Sequence, residues 1–514
     1  MMDPMKLPDL PETAEPASLD PAPAADALAV SQGAELAVSS ALDNDERRLT
    51  SASDAGDPVI LVVHASVGSG HRSAAYAIAE AVEDLRAEAR AEEGADAAGG
   101  PKPSPTDGAA AASAATANAA AQGGPDAAAK ALAAGLDPAL VARARVEVLD
   151  ILDFGRIVFD GDATASMFTG WTRPFYDITW RYVLTGRLLW GGGTIWAHLM
   201  YPRFVEFVRR VRPAAIVATH ITAANVAVSA RMLTGQAFPI LCVPTDYEAE
   251  GLWPHLHTDL FCVANEAMAE TLRPRRVPED RILITGIPAS PAFSRSYEKS
   301  AARERLGLPA DKLVVLALAG AKLPRPYVHF REALDEILPF MHTLPAMQLV
   351  IVAGADEEYE RRVRREVADY GLDNVTVLGY VDTMAELMEA SDVVICKPGG
   401  LTVTECLCAR APMILLGRAY GQEKANVRML TGAGAAMAAT TPRELLDTLR
   451  HISEQPASAE AMLINASLLR RPRAAMDIAR ATFRLIAKEP VRDGKLRARH
   501  FMHFYWGRKP AHTR

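Results

Sequence analysis

Short apolar runs with helical patterns between them confine this chain to one kind of architecture. They fall at Val59–His64, Val146–Leu149, Ala215–Ala218, Ile240–Val243 and Leu260–Val263. A second series follows at Leu313–Ala319, Gln348–Val352, Val375–Leu378, Val393–Cys396 and Met413–Leu416. A run that is apolar at every position reads as a strand covered on both faces. Intervening helices supply those covers and the crossovers that parallel strands need. The two series part near Ile287–Tyr297, where Pro288 and Pro291 stand among small residues as in a linker. A chain of 514 residues is also too long for one core. The expectation is an α/β protein of two doubly wound parallel-sheet domains, 58–290 and 291–488, facing each other across a cleft.

Three segments fall outside that pattern. Residues 1–57 are rich in Ala, Pro and acidic side chains with almost no aromatics, and read as a disordered acidic tail. Residues 91–137 are Ala- and Gly-rich with four prolines, a low-complexity insertion in a surface loop of the first domain. Residues 489–514 mix basic and aromatic side chains around Phe501, Phe504, Tyr505 and Trp506, as a tail that docks across the domains or touches a bilayer.

The net charge of -8 argues against a nucleic-acid partner. The five cysteines are odd in number and scattered. They read as reduced structural thiols with no disulfide or metal role, in keeping with a cytoplasmic protein. No run reaches the ~18 apolar residues of a membrane span, and the N-terminus lacks the order of a signal peptide.

The chemistry concentrates in 395–426. An apolar strand ends at Cys396, and a tight turn follows, Lys397-Pro398-Gly399-Gly400. A helix then opens at Thr402 and Thr404. Glycines ahead of a helix let backbone N–H groups approach an anion at its positive end. Glu405, one turn in, is placed to accept from a ribose diol. After the next strand the polar loop Gly421-Gln422-Glu423-Lys424-Ala425-Asn426 returns to the same sheet edge, where a sugar would be held. These are the parts of a nucleotide-sugar site.

The first domain has its own strand–turn–helix, Val67-Gly68-Ser69-Gly70-His71, with the amphipathic helix running from about Ser73. Gly68 and Gly70 permit a tight, approachable backbone. His71 at the helix start meets a dipole that disfavours its charged form, which leaves a neutral base. The alternative for His71 is a helix cap with no catalytic part.

At this point the residues resemble a known group. VGSGHRSAA, TDYEAEGLWPHLHTDLFCVANE, ITGIP and KPGGLTVTE…GQEKAN follow in the order of the monogalactosyldiacylglycerol synthase family, which includes processive diacylglycerol glucosyltransferases. The likeness extends more distantly to the lipid II-forming N-acetylglucosaminyltransferase. It spans roughly Pro58 to Arg450 apart from the insertion.

The resemblance implies a GT-B glycosyltransferase of two Rossmann-like domains, with the acceptor in the first and a UDP-sugar in the second. It implies His71 as the general base and Asp246 beside it near acceptor or sugar. Glu405 would hold the ribose, Gly399, Gly400 and Thr402 would approach the diphosphate with Lys397 in the same turn, and Gln422, Glu423 and Asn426 would contact the sugar. His220 would line the acceptor side with Gly68 and Gly70. No metal or other cofactor is implied, and the anomeric centre would invert. The donor would be UDP-glucose or UDP-galactose and the acceptor diacylglycerol or a related lipid.

The chain departs from the family after Leu313–Ala319. There Gly320 alone keeps the freedom to approach a phosphate, and Lys322 and Arg325 would supply charge instead. Proline is also missing before Gly421, where Ala419-Tyr420 stand.

In 171–210, Trp171, Trp180, Trp190 and Trp196 interleave with Arg173, Arg181 and Arg187. That mixture suits an anionic headgroup layer, hence a peripheral site on the inner face of the cell membrane. Its alternative is an amphipathic helical pair that buries its rings. Two other functions stay open: transfer to a different hydrophobic acceptor such as a polyprenyl-linked saccharide, and a catalytically silent UDP-sugar sensor.

Overall fold

The computed structural model describes residues 44–66, 69–97, 135–155, 199–248, 253–255, 257–320, 328–419 and 423–488. The chain divides into a short unit, Met1–Arg48, and a large one, Leu49–Arg514. In the first, residues 44–48 are helical. In the second, residues 49–54 are helical and Leu49 is fully buried, so the expected disordered tail of 1–57 is ordered at its end.

Both expected sheets are present, and among the described residues every strand pairing is parallel. The first contains β1 (Val59–His64), β2 (Arg145–Asp150), β3 (Ala215–Ala218), β4 (Ile240–Cys242), β5 (Leu260–Val263) and β6 (Ile282–Ile284), in the order β2-β1-β3-β4-β5-β6. The second contains β7 (Leu313–Leu318), β8 (Met347–Val352), β9 (Val375–Leu378), β10 (Val393–Cys396), β11 (Met413–Leu416) and β12 (Ala436–Ala439), in the order β12-β11-β10-β7-β8-β9. In each sheet the strand order reverses once, between β1 and β3 and between β7 and β10. Loops diverge there at the carboxyl ends of the strands, and in open α/β sheets that crevice takes the ligand.

The helices that matter below are α1 (Ser69–Ala97), α2 (Ile221–Thr234), α3 (Val328–Ile337), α4 (Gly400–Cys408), α5 (Glu423–Gly432) and α6 (Ala474–Ala487). α1 begins four residues before the expected Ser73, which places His71 in its first turn. α4 begins at Gly400, before Thr402, with Gly399 as a cap that makes no side-chain hydrogen bond. Its first N–H groups therefore lack an intrahelical or side-chain capping partner among the described residues.

Each sheet has its own apolar core. That of the first domain is built from β1, β3 and α1 with residues such as Ile60, Val62, Ile78 and Val82. It also takes in Ala475, Ile478, Ala479 and Phe483 of α6. The last described helix thus completes the first domain's core, and the expected range 291–488 for the second domain includes a helix that packs elsewhere.

Candidate active site

His71 sits where β1 hands over to α1, at the first sheet's reversal point. Its ring is half-buried. Nδ1 lies 3.1 Å from the Thr219 carbonyl oxygen and 2.8 Å from Thr245 Oγ1. Thr219 returns a second bond from Oγ1 to the His71 carbonyl at 2.9 Å, which ties the helix start to the end of β3. A carbonyl oxygen only accepts, so Nδ1 carries the hydrogen and Nε2 keeps its lone pair. Burial lowers the His71 pKa, against a smaller upward pull from Asp246 and the Thr219 carbonyl. The ring is neutral and basic at Nε2.

His220 meets His71 edge-on, with ring centroids 4.6 Å apart. Its Nδ1 accepts from Thr222 N at 3.2 Å, so it is the N-cap of α2. The capping alternative weighed for His71 is thus realised at His220. Burial, with the neighbouring imidazoles, holds the His220 pKa well below its usual value, as the accepting role requires.

The second domain meets this site through α4. A β-carbon on Gly70 would lie 3.6 Å from Leu401 Cβ, so the starts of α1 and α4 face each other at van der Waals distance. A β-carbon on Gly400 would run into the Thr245 carbonyl oxygen and meet Asp246 Oδ1 at 2.9 Å. The missing side chain at Gly400 therefore admits the 245–246 backbone of the other domain. Gly399 is less crowded, with Lys397 Cε the nearest atom at 3.7 Å from such a carbon.

Glu405, on the second turn of α4, is half-buried. Desolvation pushes its carboxyl up to about 7. Among the described residues its carboxyl group makes no hydrogen bond or ion pair. Glu423 is buried at the N-terminus of α5, its Oε1 3.8 Å from Lys397 Nζ.

Asn426 differs from expectation. It is fully buried and donates from Nδ2 to Pro398 O at 2.9 Å and to Asp246 Oδ1 at 3.3 Å. Its Oδ1 accepts from Tyr247 N at 3.2 Å. Both amide hydrogens are used within the protein, so this side chain clamps the domains together and is not placed to contact a sugar.

Gly320 makes a close backbone contact of its own. A β-carbon there would lie 2.7 Å from Gly354 Cα, so the missing side chain admits the Gly354 backbone. Gly68, Lys322, Gln422, Trp171, Trp180, Trp190 and Trp196 lie outside the described residues.

Sequence reasoning missed three members of the site. Tyr247 joins its hydroxyl to Thr404 Oγ1 at 3.0 Å. Thr245 touches the base. His329, at the start of α3, accepts from Arg418 N at 3.1 Å and so holds the loop after β11. Thr245 and Tyr247 flank an aspartate that the sequence did single out; His329 offered no local signal.

Two parallel-sheet domains with their reversal points opposed define the class: this is a GT-B protein. Residues 126–289 match the family model for monogalactosyldiacylglycerol (MGDG) synthase. Residues 328–478 match that for the glycosyltransferase family 28 C-terminal domain. The processive diacylglycerol beta-glucosyltransferase of Staphylococcus saprophyticus is 30% identical over 224 residues, 44% of this chain and 56% of that protein. The enzyme of the same description from Bacillus subtilis is 30% identical over 219 residues, 43% and 56% respectively. The chain spans just over half the length of these curated relatives. A solved structure of Acinetobacter baumannii MurG is 17% identical, covers 83% of this chain and 99% of its own, and has a TM-score of 0.46, too slight a likeness to argue from. The chain is a distant relative of the processive diacylglycerol glucosyltransferases and MGDG synthase.

Proposed function

We propose that this protein is a UDP-sugar-dependent glycosyltransferase that moves a hexose onto the hydroxyl of diacylglycerol or a similar lipid, with inversion. One observation carries the reading: a neutral histidine, basic at Nε2, stands where the uncapped start of α4 meets the first domain. The acceptor oxygen attacks the anomeric carbon as its proton passes to His71 Nε2. The bond from that carbon to the diphosphate breaks, and UDP leaves with the electron pair.

The departing charge is taken by the N–H groups at Gly400–Thr402 and the α4 dipole, with Lys397 beside them. Glu405 accepts from the ribose hydroxyls, and Gln422 and Glu423 bind the hexose. Asp246, whose charge opposes the fall in the His71 pKa, favours the imidazolium that forms. Diacylglycerol is favoured as acceptor because the matched model over 126–289 is that of an enzyme named for it. A lipid acceptor implies work at a membrane surface, and anionic lipid is the expected setting. Among the described residues no helix is long and apolar enough to cross a bilayer.

The test is to incubate purified protein with anionic vesicles containing diacylglycerol and either UDP-glucose or UDP-galactose, following UDP and glycolipid by mass spectrometry. A hexosyl-diacylglycerol product is expected and names the donor. UDP release without it points to another lipid alcohol. UDP binding with neither product sinks the enzyme reading in favour of a silent sensor.

A further inference from the structure

Thr245 lies at a junction that nothing above assigns. It follows β4 on the first domain and is 5% exposed. On one side its hydroxyl oxygen is 2.8 Å from His71 Nδ1. On the other its carbonyl oxygen occupies the space where Gly400, first residue of α4, has no side chain. The next two residues are fastened to the second domain by Asn426 and Thr404. One short segment thus touches the base and rests on the helix assigned to the donor.

The hydrogen on His71 Nδ1 has two acceptors, the Thr219 carbonyl and Thr245 Oγ1. Thr219 belongs to the same domain as His71 and stays with it. Thr245 belongs to that domain too, but its carbonyl also rests against α4 of the second domain. The titratable groups facing the ring are Asp246 from the same segment, His220 at the start of α2, and His64 at the end of β1. Asp246 and the Thr219 carbonyl favour the protonated ring, and burial opposes it.

The geometry points to Thr245 as a positioning residue: its hydroxyl holds the His71 ring with Nε2 open to the cleft, and its carbonyl makes that hold depend on the seating of α4. The base is then fully set only when the donor domain is in place, which couples transfer to closure and protects the sugar from water. The inference rests on the reading of His71 as the base.

The test uses the full chain labelled with [15N]histidine, with the His71 ring assigned by its loss in His71→Ala. Long-range proton–nitrogen spectra report which ring nitrogen is protonated and the titration midpoint. The wild type is expected to show the hydrogen on Nδ1. Thr245→Val keeps the shape and removes an acceptor that stabilises the imidazolium, so the midpoint falls by about one pH unit. Thr245→Ser should restore it. Gly400→Ala, which displaces the Thr245 carbonyl from the other domain, should move the midpoint in the same direction.

Wild-type protonation at Nε2 overturns the inference, and so does a midpoint that neither Thr245→Val nor Gly400→Ala shifts. The underlying reading fails separately, if His71→Ala retains transfer in the vesicle assay.

Discussion

At the scale of single residues, protonation decides what the site can do. Glu405 has its carboxyl raised to about 7 by burial. Its folded pKa exceeds the unfolded one, so the folded state gains protons relative to the unfolded as pH falls from about 7 toward the ordinary value of 4.5. Its contribution to stability is lost as pH rises through that window. Ribose hydroxyls would donate to the charged form and pull the pKa back down. UDP affinity should therefore rise between pH 6 and 8 with proton release, and calorimetry in two buffers of different ionisation enthalpy should detect it. Glu405→Gln should abolish both the pH dependence and the release.

His64, His71 and His220 act in the opposite sense. All three pKa values are lowered, chiefly by burial, so the unfolded chain protonates first as pH falls below 6.5. With the opposing glutamate removed in Glu405→Gln, thermal melts should show stability falling on acidification below about pH 6.5. His71→Ala should lower transfer ~10²–10⁴-fold while leaving UDP affinity near wild type. His71 was legible because an apolar strand, a glycine turn and a helix place it by local rules alone. Asn426 was not, because its role depends on Asp246, Tyr247 and Pro398, which meet it only in space.

At the scale of elements, one close backbone crossing fixes the end of β7 against the loop after β8. The end of β7 passes Gly354 so closely that each glycine occupies the other's side-chain space, and Gly354 has φ +63°. Gly320→Ala forces a β-carbon to 2.7 Å from backbone that has no side chain to swing away. A loss of ~3 kcal/mol is expected from such overpacking, read as a drop in the urea midpoint at unchanged slope.

The strands that the sequence did not reveal, β6 and β12, are the ones with the weakest local signal. Ile282–Ile284 is three residues long and half-buried, and Ala436–Ala439 is alanine-rich without branched side chains. Both are edge strands, recruited by a preformed neighbour rather than by their own propensity.

At the scale of the whole molecule, α6 joins the first domain's core after the chain has completed the second sheet. Phe483 and Ile478 are fully buried there. Phe483→Ala should cost ~3–5 kcal/mol, and hydrogen exchange should show the loss in β1, β3 and α1 before β7–β12. Exchange that rises first in the second sheet would contradict this placement.

By itself the sequence determined the two sheets, most of their strands, and the two turns that carry His71 and Glu405. Those features follow from apolar periodicity and glycine stereochemistry, which act within a few residues. Tertiary structure alone decided that α6 returns to the first core and that Gly400 yields its space to Thr245. It also decided that Asn426 is a clamp and that Thr245 reaches the base. Each of these is a contact between atoms far apart in the chain, fixed by packing and hydrogen-bond geometry that no local pattern encodes.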